Sequence, residues 1–161
     1  MHSNGQVSGS SISAFGFVSF LSMDKGFTIL DHPADLGIEA HGSTLKDAFE
    51  QSAIALMSVI LDLTTVECIE KRQIEIAAAD LEHLLVKWLA EILYLYDGRQ
   101  FVAKQFTIDQ LTSTALTAVV IGEQVSLEKH RTKLDVKAVT YHQLSVTENN
   151  EGAVVRVFLD I

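Results

Sequence analysis

Two acidic segments stand at opposite ends of the apolar-rich part of the chain: DHPAD over residues 31–35, and the closing pair Asp160 and Ile161. Carboxylate and main-chain oxygens are the donors that hard divalent cations take as ligands. The strand-like run AVVRVFLDI ends in an aspartate plus one apolar residue, so a side-chain carboxylate lies beside a main-chain carboxylate. If folding brings Asp35 to that end, three anionic oxygen donors converge. Their repulsion would then require a metal or a basic side chain to offset it. Spacing alone leaves a plainer alternative open, in which Asp35 is a turn residue before Gly37 and Asp160 is a solvated chain end.

Few other residues offer chemistry. His32, beside Asp31, could ligate a metal or orient a carboxylate, although a histidine at a strand-to-turn junction is more often an ordinary hydrogen-bonded turn residue. His142 lies in VKAVTYHQLSV, where strand alternation sets it on the face opposite Lys137, Val139 and Tyr141. Lys137 interrupts an otherwise apolar run, and lysine is rarely buried unless paired; it is a rim residue or a cation that offsets the carboxylates. No GxSxG elbow, CxxC pair or glycine-rich phosphate loop occurs. Cys68, the single cysteine, falls in a connector and reads as a structural thiol with no internal disulfide partner.

Composition bounds the function further. A chain of 161 residues, 48% hydrophobic and with one proline, can bury one good core, and one domain is expected over residues 25–161. Residues 1–24 begin with a Ser/Gly-rich stretch, and their apolar run is interrupted by serines and a glycine. They read as a disordered extension or an expression remnant, with neither a signal peptide's pattern nor the length of a membrane span. Twelve Lys and Arg against 21 Asp and Glu leave a formal charge of −9. That balance argues against a tight electrostatic grip on nucleic acid, so any link to RNA should run through a protein partner. Lone cysteine usage fits a reducing cytoplasm.

The hydrophobic period switches from two to 3.6 and back. Residues 27–30 and 36–40 read as short strands around the DHPAD turn. A helix follows with Ser43 or Thr44 as N-cap and Leu45, Ala48, Phe49, Leu56 and Ile60 on its apolar stripe. A strand over 72–78 precedes a second helix that Asp80 caps, which buries Leu84, Leu85, Trp88, Leu89 and Ile92 and stops before Gly98. Residues 104–108, 115–121, 136–146 and 153–159 are strand candidates, the last two joined by the loop ENNEG. Helices early and strands late give an α+β class: two helices packed in two layers on a mostly antiparallel, curved sheet.

The stretches DHPADLGIEAHGSTLKDAFEQSAIALM, DLEHLLVKWLAEILYL, GE followed by KH, VKAVTYHQL and the closing LDI resemble the archease family, in the same order and across nearly all of residues 27–161. One departure is Pro33, where that family's HTAD motif has threonine. The resemblance implies a small accessory protein of the GTP-dependent tRNA-splicing RNA ligase, which promotes guanylylation of the ligase and its multiple turnover. It also implies that Asp35, Asp160 and Ile161 hold a divalent cation, with Ile161 giving a main-chain oxygen, and that Lys137 is the functionally important lysine. An all-oxygen set suits Ca²⁺ first, with Mg²⁺ or Mn²⁺ as alternatives, and an acidic surface suits docking on a basic RNA-binding enzyme. The competing readings are a stand-alone metal-dependent hydrolase with His32 as base, and a chaperone-like binding module without chemistry.

Overall fold

The computed structural model describes residues 24–161, so the expected extension over residues 1–24 lies, but for its last residue, outside the described residues. The class is α+β. Strands β1 (Gly26–Asp31) and β2 (Asp35–Gly42) form a hairpin around His32, Pro33 and Ala34. Helix α1 (Leu45–Ile60) follows, and Thr44 caps it by accepting a hydrogen bond from the Asp47 N–H at 3.1 Å. A short 3₁₀ turn (Leu63–Thr65) leads to β3 (Glu70–Ala77) and then α2 (Leu81–Asp97), capped by Asp80 on the His83 N–H at 2.9 Å. Both caps are the ones expected: each side-chain oxygen satisfies a donor that the first helical turn leaves unpaired. Helix α2 stops at Gly98, and Gln100 adopts a left-handed φ of 55° as the chain reverses into β4.

The antiparallel strands divide between two sheets where the sequence suggests one. Strands β3, β4 (Phe101–Leu111) and β5 (Ala115–Gln124) form one, in the order β3-β5-β4. In the other, β1, β2 and β8 (Gly152–Asp160) lie side by side, and the far edge of β8 is shared by β6 (Ala138–Val139) and β7 (Ser145–Asn149). Helix α1 packs on β2 and β8 of this sheet and on β4 of the other, which joins the two around one apolar cluster. Phe49, Leu56, Met57 and Ile60 from α1 and Leu84, Leu85, Trp88 and Leu89 from α2 are essentially inaccessible to water. Each such side chain contributes about 1.5–3 kcal/mol on burial. The Trp88 Nε1–H donates to the Phe49 carbonyl at 2.9 Å, tying the helices together without leaving a polar atom unpaired.

Two expectations need correction. The strand expected over 104–108 is longer, since β4 runs through two register shifts near Lys104 and Asp109. The strand expected over 136–146 is broken. Thr140 turns both its N–H and its hydroxyl onto the Phe158 carbonyl, at 3.0 and 2.9 Å, which ends the ladder. His142 N–H then bonds the Thr140 hydroxyl at 3.2 Å, and Gln143 takes a left-handed φ of 51°, so β6 and β7 meet different stretches of β8. Period-two reasoning cannot see such a side chain competing with the backbone ladder. The alternation that set His142 against Lys137, Val139 and Tyr141 therefore does not apply. Among the described residues no helix is long and apolar enough to cross a membrane.

Candidate functional site

Strand register brings the two acidic segments together. Along β2, Leu36, Ile38 and Ala40 are buried toward the helices, which turns Asp35, Gly37, Glu39 and His41 to the opposite face. Their partners across β8 are Asp160, Phe158, Arg156 and Val154. Directly opposed residues of an antiparallel pair carry Cβ atoms about 4.5–5.5 Å apart, and like charges placed so repel. Two layers along this face are charged, and they differ. Glu39 and Arg156 neutralise one another, with Arg156 Nη2 2.6 Å from Glu39 Oε2. Asp35 and Asp160 have the same sign, and Asp160 makes no ion pair among the described residues.

The histidines enter through Phe158. Gly37 stands opposite it, and a methyl group at Gly37 would come within 2.8 Å of Phe158 Cε1 and 3.0 Å of Leu30 Cβ. Absence of a side chain there lets the ring lie flat on the sheet, 5% exposed. His32 and His142 meet that ring edge-on, with centroids 6.0 and 5.9 Å away. His32 Nδ1 also stands 2.9 Å from Asp35 Oδ1. The contact is not an aligned N–H···O bond, and the buried Asp35 Oδ1 has no hydrogen bond among the described residues. A buried carboxylate oxygen whose near partner, the His32 nitrogen, is not aligned to donate is poorly compensated, which is a condition a bound cation relieves. The Asp35 side chain as a whole is 21% exposed and that of His32 is 51% exposed, so the place is reachable from solvent.

Lys137 and Ile161 border the pair. Ala138 of β6 is the register partner of Asp160 on its other side, and the Lys137 N–H donates to the Asp160 carbonyl at 2.8 Å. Lys137 is exposed and precedes β6, so it is a rim residue; its ammonium makes no ion pair among the described residues. Ile161 directly follows Asp160 and packs its side chain against the core, which fixes where its main-chain oxygen starts. Among the described residues no three His, Cys, Asp or Glu side chains gather at metal-binding separations. A cation held by Asp35 and Asp160 therefore needs a main-chain oxygen or another donor from this rim.

The GE and KH pieces of the sequence build a different cluster. Gly122 is packed so closely that a Cβ would meet the Val102 carbonyl oxygen, and Glu123 leaves β5 beside it. The Glu123 carboxylate accepts from the Glu67 N–H at 2.6 Å, from Lys129 Nζ at 2.9 Å and from His130 Nε2 at 3.1 Å. These donors, the Glu67 N–H foremost, pull its pKa from 4.5 down to about 2. The His130 ring is buried, and its Nδ1 accepts from the Ser126 N–H at 3.0 Å, which leaves the ring proton on Nε2 facing Glu123. No hydrogen bond among the described residues links this cluster to the acidic pair; it secures the start of the connection that leads to Lys137. Farther along, the Lys133 N–H reaches the Ile60 carbonyl at 2.6 Å, and the Tyr96 and Thr132 hydroxyls are 2.6 Å apart.

Sequence reasoning missed Gly37, Phe158 and Thr140, whose roles depend on strand pairing. It also missed that Tyr141, 56% exposed, rests on His83 of α2 with ring centroids 5.3 Å apart, so the turn carrying His142 is braced from a helix. Cys68 is exposed, which removes it from any packing role.

The chain is similar over residues 27–161 to the family described as the archease protein family. It is 35% identical over 144 residues to the protein archease of Methanosarcina barkeri, covering 87% of this chain and 99% of that one. To the protein archease of Saccharolobus islandicus it is 40% identical over 139 residues, covering 85% and 99%. The solution structure of Methanobacterium thermoautotrophicum protein 1598 superposes with a TM-score of 0.73 at 34% identity, over 84% of this chain and 99% of that one. A Thermotoga maritima crystal structure, described as an archease and possible chaperone, shares the fold with a TM-score of 0.52 at 16% identity, over 82% and 94%.

Proposed function

The chain belongs to the archease family, and from that premise we propose that it is a non-catalytic, metal-binding accessory protein of a GTP-dependent tRNA-splicing RNA ligase, which promotes the ligase's guanylylation and multiple turnover. The observation that carries this reading is the opposition of Asp35 and Asp160 across β2 and β8, with one Asp35 oxygen buried and without a hydrogen bond. Asp35 and Asp160 with the Ile161 main-chain oxygen would hold a divalent cation, which supplies a compact positive charge able to bind phosphate oxygens. Hard oxygen donors fit Ca²⁺, with Mg²⁺ or Mn²⁺ as alternatives.

The protein's own groups have three tasks in this reading. The carboxylates, set at the end of a rigid β-ladder, present a fixed anionic tip to the metal- and phosphate-binding cleft of the ligase. A formal charge of −9 draws this surface to a basic RNA-binding enzyme and disfavours direct RNA binding. Lys137, at the rim, supplies the cation that balances the tip's charge or meets a phosphate of the ligase's substrate. Neither a nucleophile nor a phosphate loop is required of this chain.

The test is a guanylylation and ligation assay with the cognate ligase, GTP and divalent metal, to which this protein is added in substoichiometric amounts. Faster guanylylation and multiple turnover are expected, and Asp160→Ala and Lys137→Ala should each lose them while keeping the fold. GTP hydrolysis or tRNA ligation by the purified chain without any ligase would overturn the accessory reading in favour of a metal-dependent hydrolase.

A further inference from the structure

The two outer strands of the three-stranded sheet are guarded unequally. On β4 the register shifts near Lys104 and Asp109, and side chains of α1 take up backbone groups there: Glu50 Oε1 accepts from the Ile108 N–H at 2.9 Å, and Lys46 Nζ donates to the Asp109 carbonyl at 2.8 Å. Strand β3 pairs with β5 without a register shift and has no strand on its other side among the described residues. The Ala78 N–H bonds the Thr114 carbonyl at 2.9 Å, so by alternation Ile76, Ile74 and Arg72 turn their backbone groups to β5 as well. Lys71, Gln73, Glu75 and Ala77 turn theirs outward. Lys87 Nζ from α2 satisfies the Ala77 carbonyl at 2.8 Å, which confirms that direction and closes one end of the edge. A groove of about 370 Å³ separates residues 75–77 from Lys87, Ala90 and Glu91, so the helix lies beside the edge without covering it. Lys71, Gln73 and Glu75 are exposed, and a straight edge with free donors and acceptors is a template for another strand.

We propose that this edge binds a second copy of the chain, with β3 pairing antiparallel to β3 of the other copy about a twofold axis at Gln73, so that the two three-stranded sheets become one. A twofold axis sets each residue against the one equally far on its other side. Lys71 of each copy then faces Glu75 of the other, and Gln73 faces Gln73, which matches the outward backbone groups in hydrogen-bonded pairs. Opposed side chains have Cβ atoms about 4.5–5.5 Å apart, within reach of an ion pair. Inside one copy the same two residues are about 13 Å apart along the strand. Their neighbours on β5 are Ile121 and Thr117, and neither makes an ion pair among the described residues. Charge also selects the register. An axis at Lys71 or Glu75 would oppose like charges, and an axis at Arg72 or Ile74 would leave Lys71 and Glu75 without a charged partner. The register about Gln73 further lays Ile69, 68% exposed and just before β3, beside Ala77 of the second copy, which removes apolar surface from water.

The experiment follows the mass of the full chain by sedimentation velocity from micromolar to millimolar concentration, with amide hydrogen exchange at Lys71, Gln73 and Glu75 recorded alongside. A concentration-dependent dimer is expected, in which these three amides exchange slowly, while in the monomer they exchange fast. Lys71→Glu and Glu75→Lys should each raise the dimer Kd by about tenfold or more, because each turns two attractive pairs into two repulsive ones. Mixed in equal amounts, the two variants again oppose unlike charges at both positions, so the mixture should dimerise as the wild type does. A misfolded variant could not be rescued in this way. A wild type that stays monomeric to millimolar concentration overturns the proposal, as does a dimer that the single substitutions leave equally tight or that mixing fails to restore. Slow exchange at the three amides in a protein that remains monomeric would assign the edge to another segment of the same chain, and that result also overturns it.

Discussion

Replacing Glu123 with glutamine removes the charge on which the Glu67 N–H, Lys129 and His130 converge while preserving the side chain's shape. Its carboxylate is held near a pKa of 2 against an ordinary 4.5, a difference whose ceiling is about 3 kcal/mol at 1.36 kcal/mol per unit. The Lys129 side chain is 36% exposed, so solvent screening reduces that ceiling and a loss of about 2 kcal/mol is expected at neutral pH. With a urea m-value of about 2 kcal/mol/M, the midpoint should fall by about 1 M. The sign with pH follows from the depressed value: the stabilisation is complete above the unfolded-state pKa and is lost as pH falls from about 4.5 toward 2. Urea unfolding at pH 7, 5, 4 and 3, followed by fluorescence of the single, fully buried Trp88, measures it. The gap between wild type and Glu123→Gln should be widest at pH 7 and shrink at pH 3. Equal midpoints at pH 7, or a gap that stays constant to pH 3, would refute the reasoning.

Gly37→Ala should destabilise by about 1–3 kcal/mol, because its methyl group would press on Phe158 and Leu30; an unchanged melting temperature would show that the ring is not confined by the sheet. Trp88→Phe should cost about 1–3 kcal/mol, through the lost bond to the Phe49 carbonyl and the void left in a dry core, and a chemical-denaturation midpoint equal to that of the wild type would contradict it.

Legibility in the sequence followed the physical range of each signal. Both helices were readable with their caps, because Thr44 and Asp80 act on donors only three residues away and the apolar stripe repeats locally. The hairpin of β1 and β2 was readable for the same reason. Division into two sheets was not, since α1 touches both and nothing in a strand's own residues says which sheet it joins. The break at residues 140–144 was hidden because Thr140 fits a strand by type and ends one by a hydrogen bond to Phe158, eighteen residues away in sequence. At the site, residue chemistry nominated Asp35, Asp160, His32 and Lys137, and the β2–β8 register sets the two acids opposite one another. Gly37 and Phe158 carried no chemical signal, and their part is steric support of the histidines.

The central claim is that Asp35 and Asp160 together hold a divalent cation, and calorimetric titration of the metal-stripped full chain with Ca²⁺ tests it most directly. The wild type should bind one equivalent, and Asp35→Ala and Asp160→Ala should each abolish the heat of binding while their circular dichroism spectra and metal-free melting temperatures stay near those of the wild type. A cation that binds only the folded state also stabilises it by mass action, so Ca²⁺ should raise the wild-type melting temperature and leave both variants unmoved. Undiminished Ca²⁺ binding in either variant, or no binding by the wild type, would contradict the account.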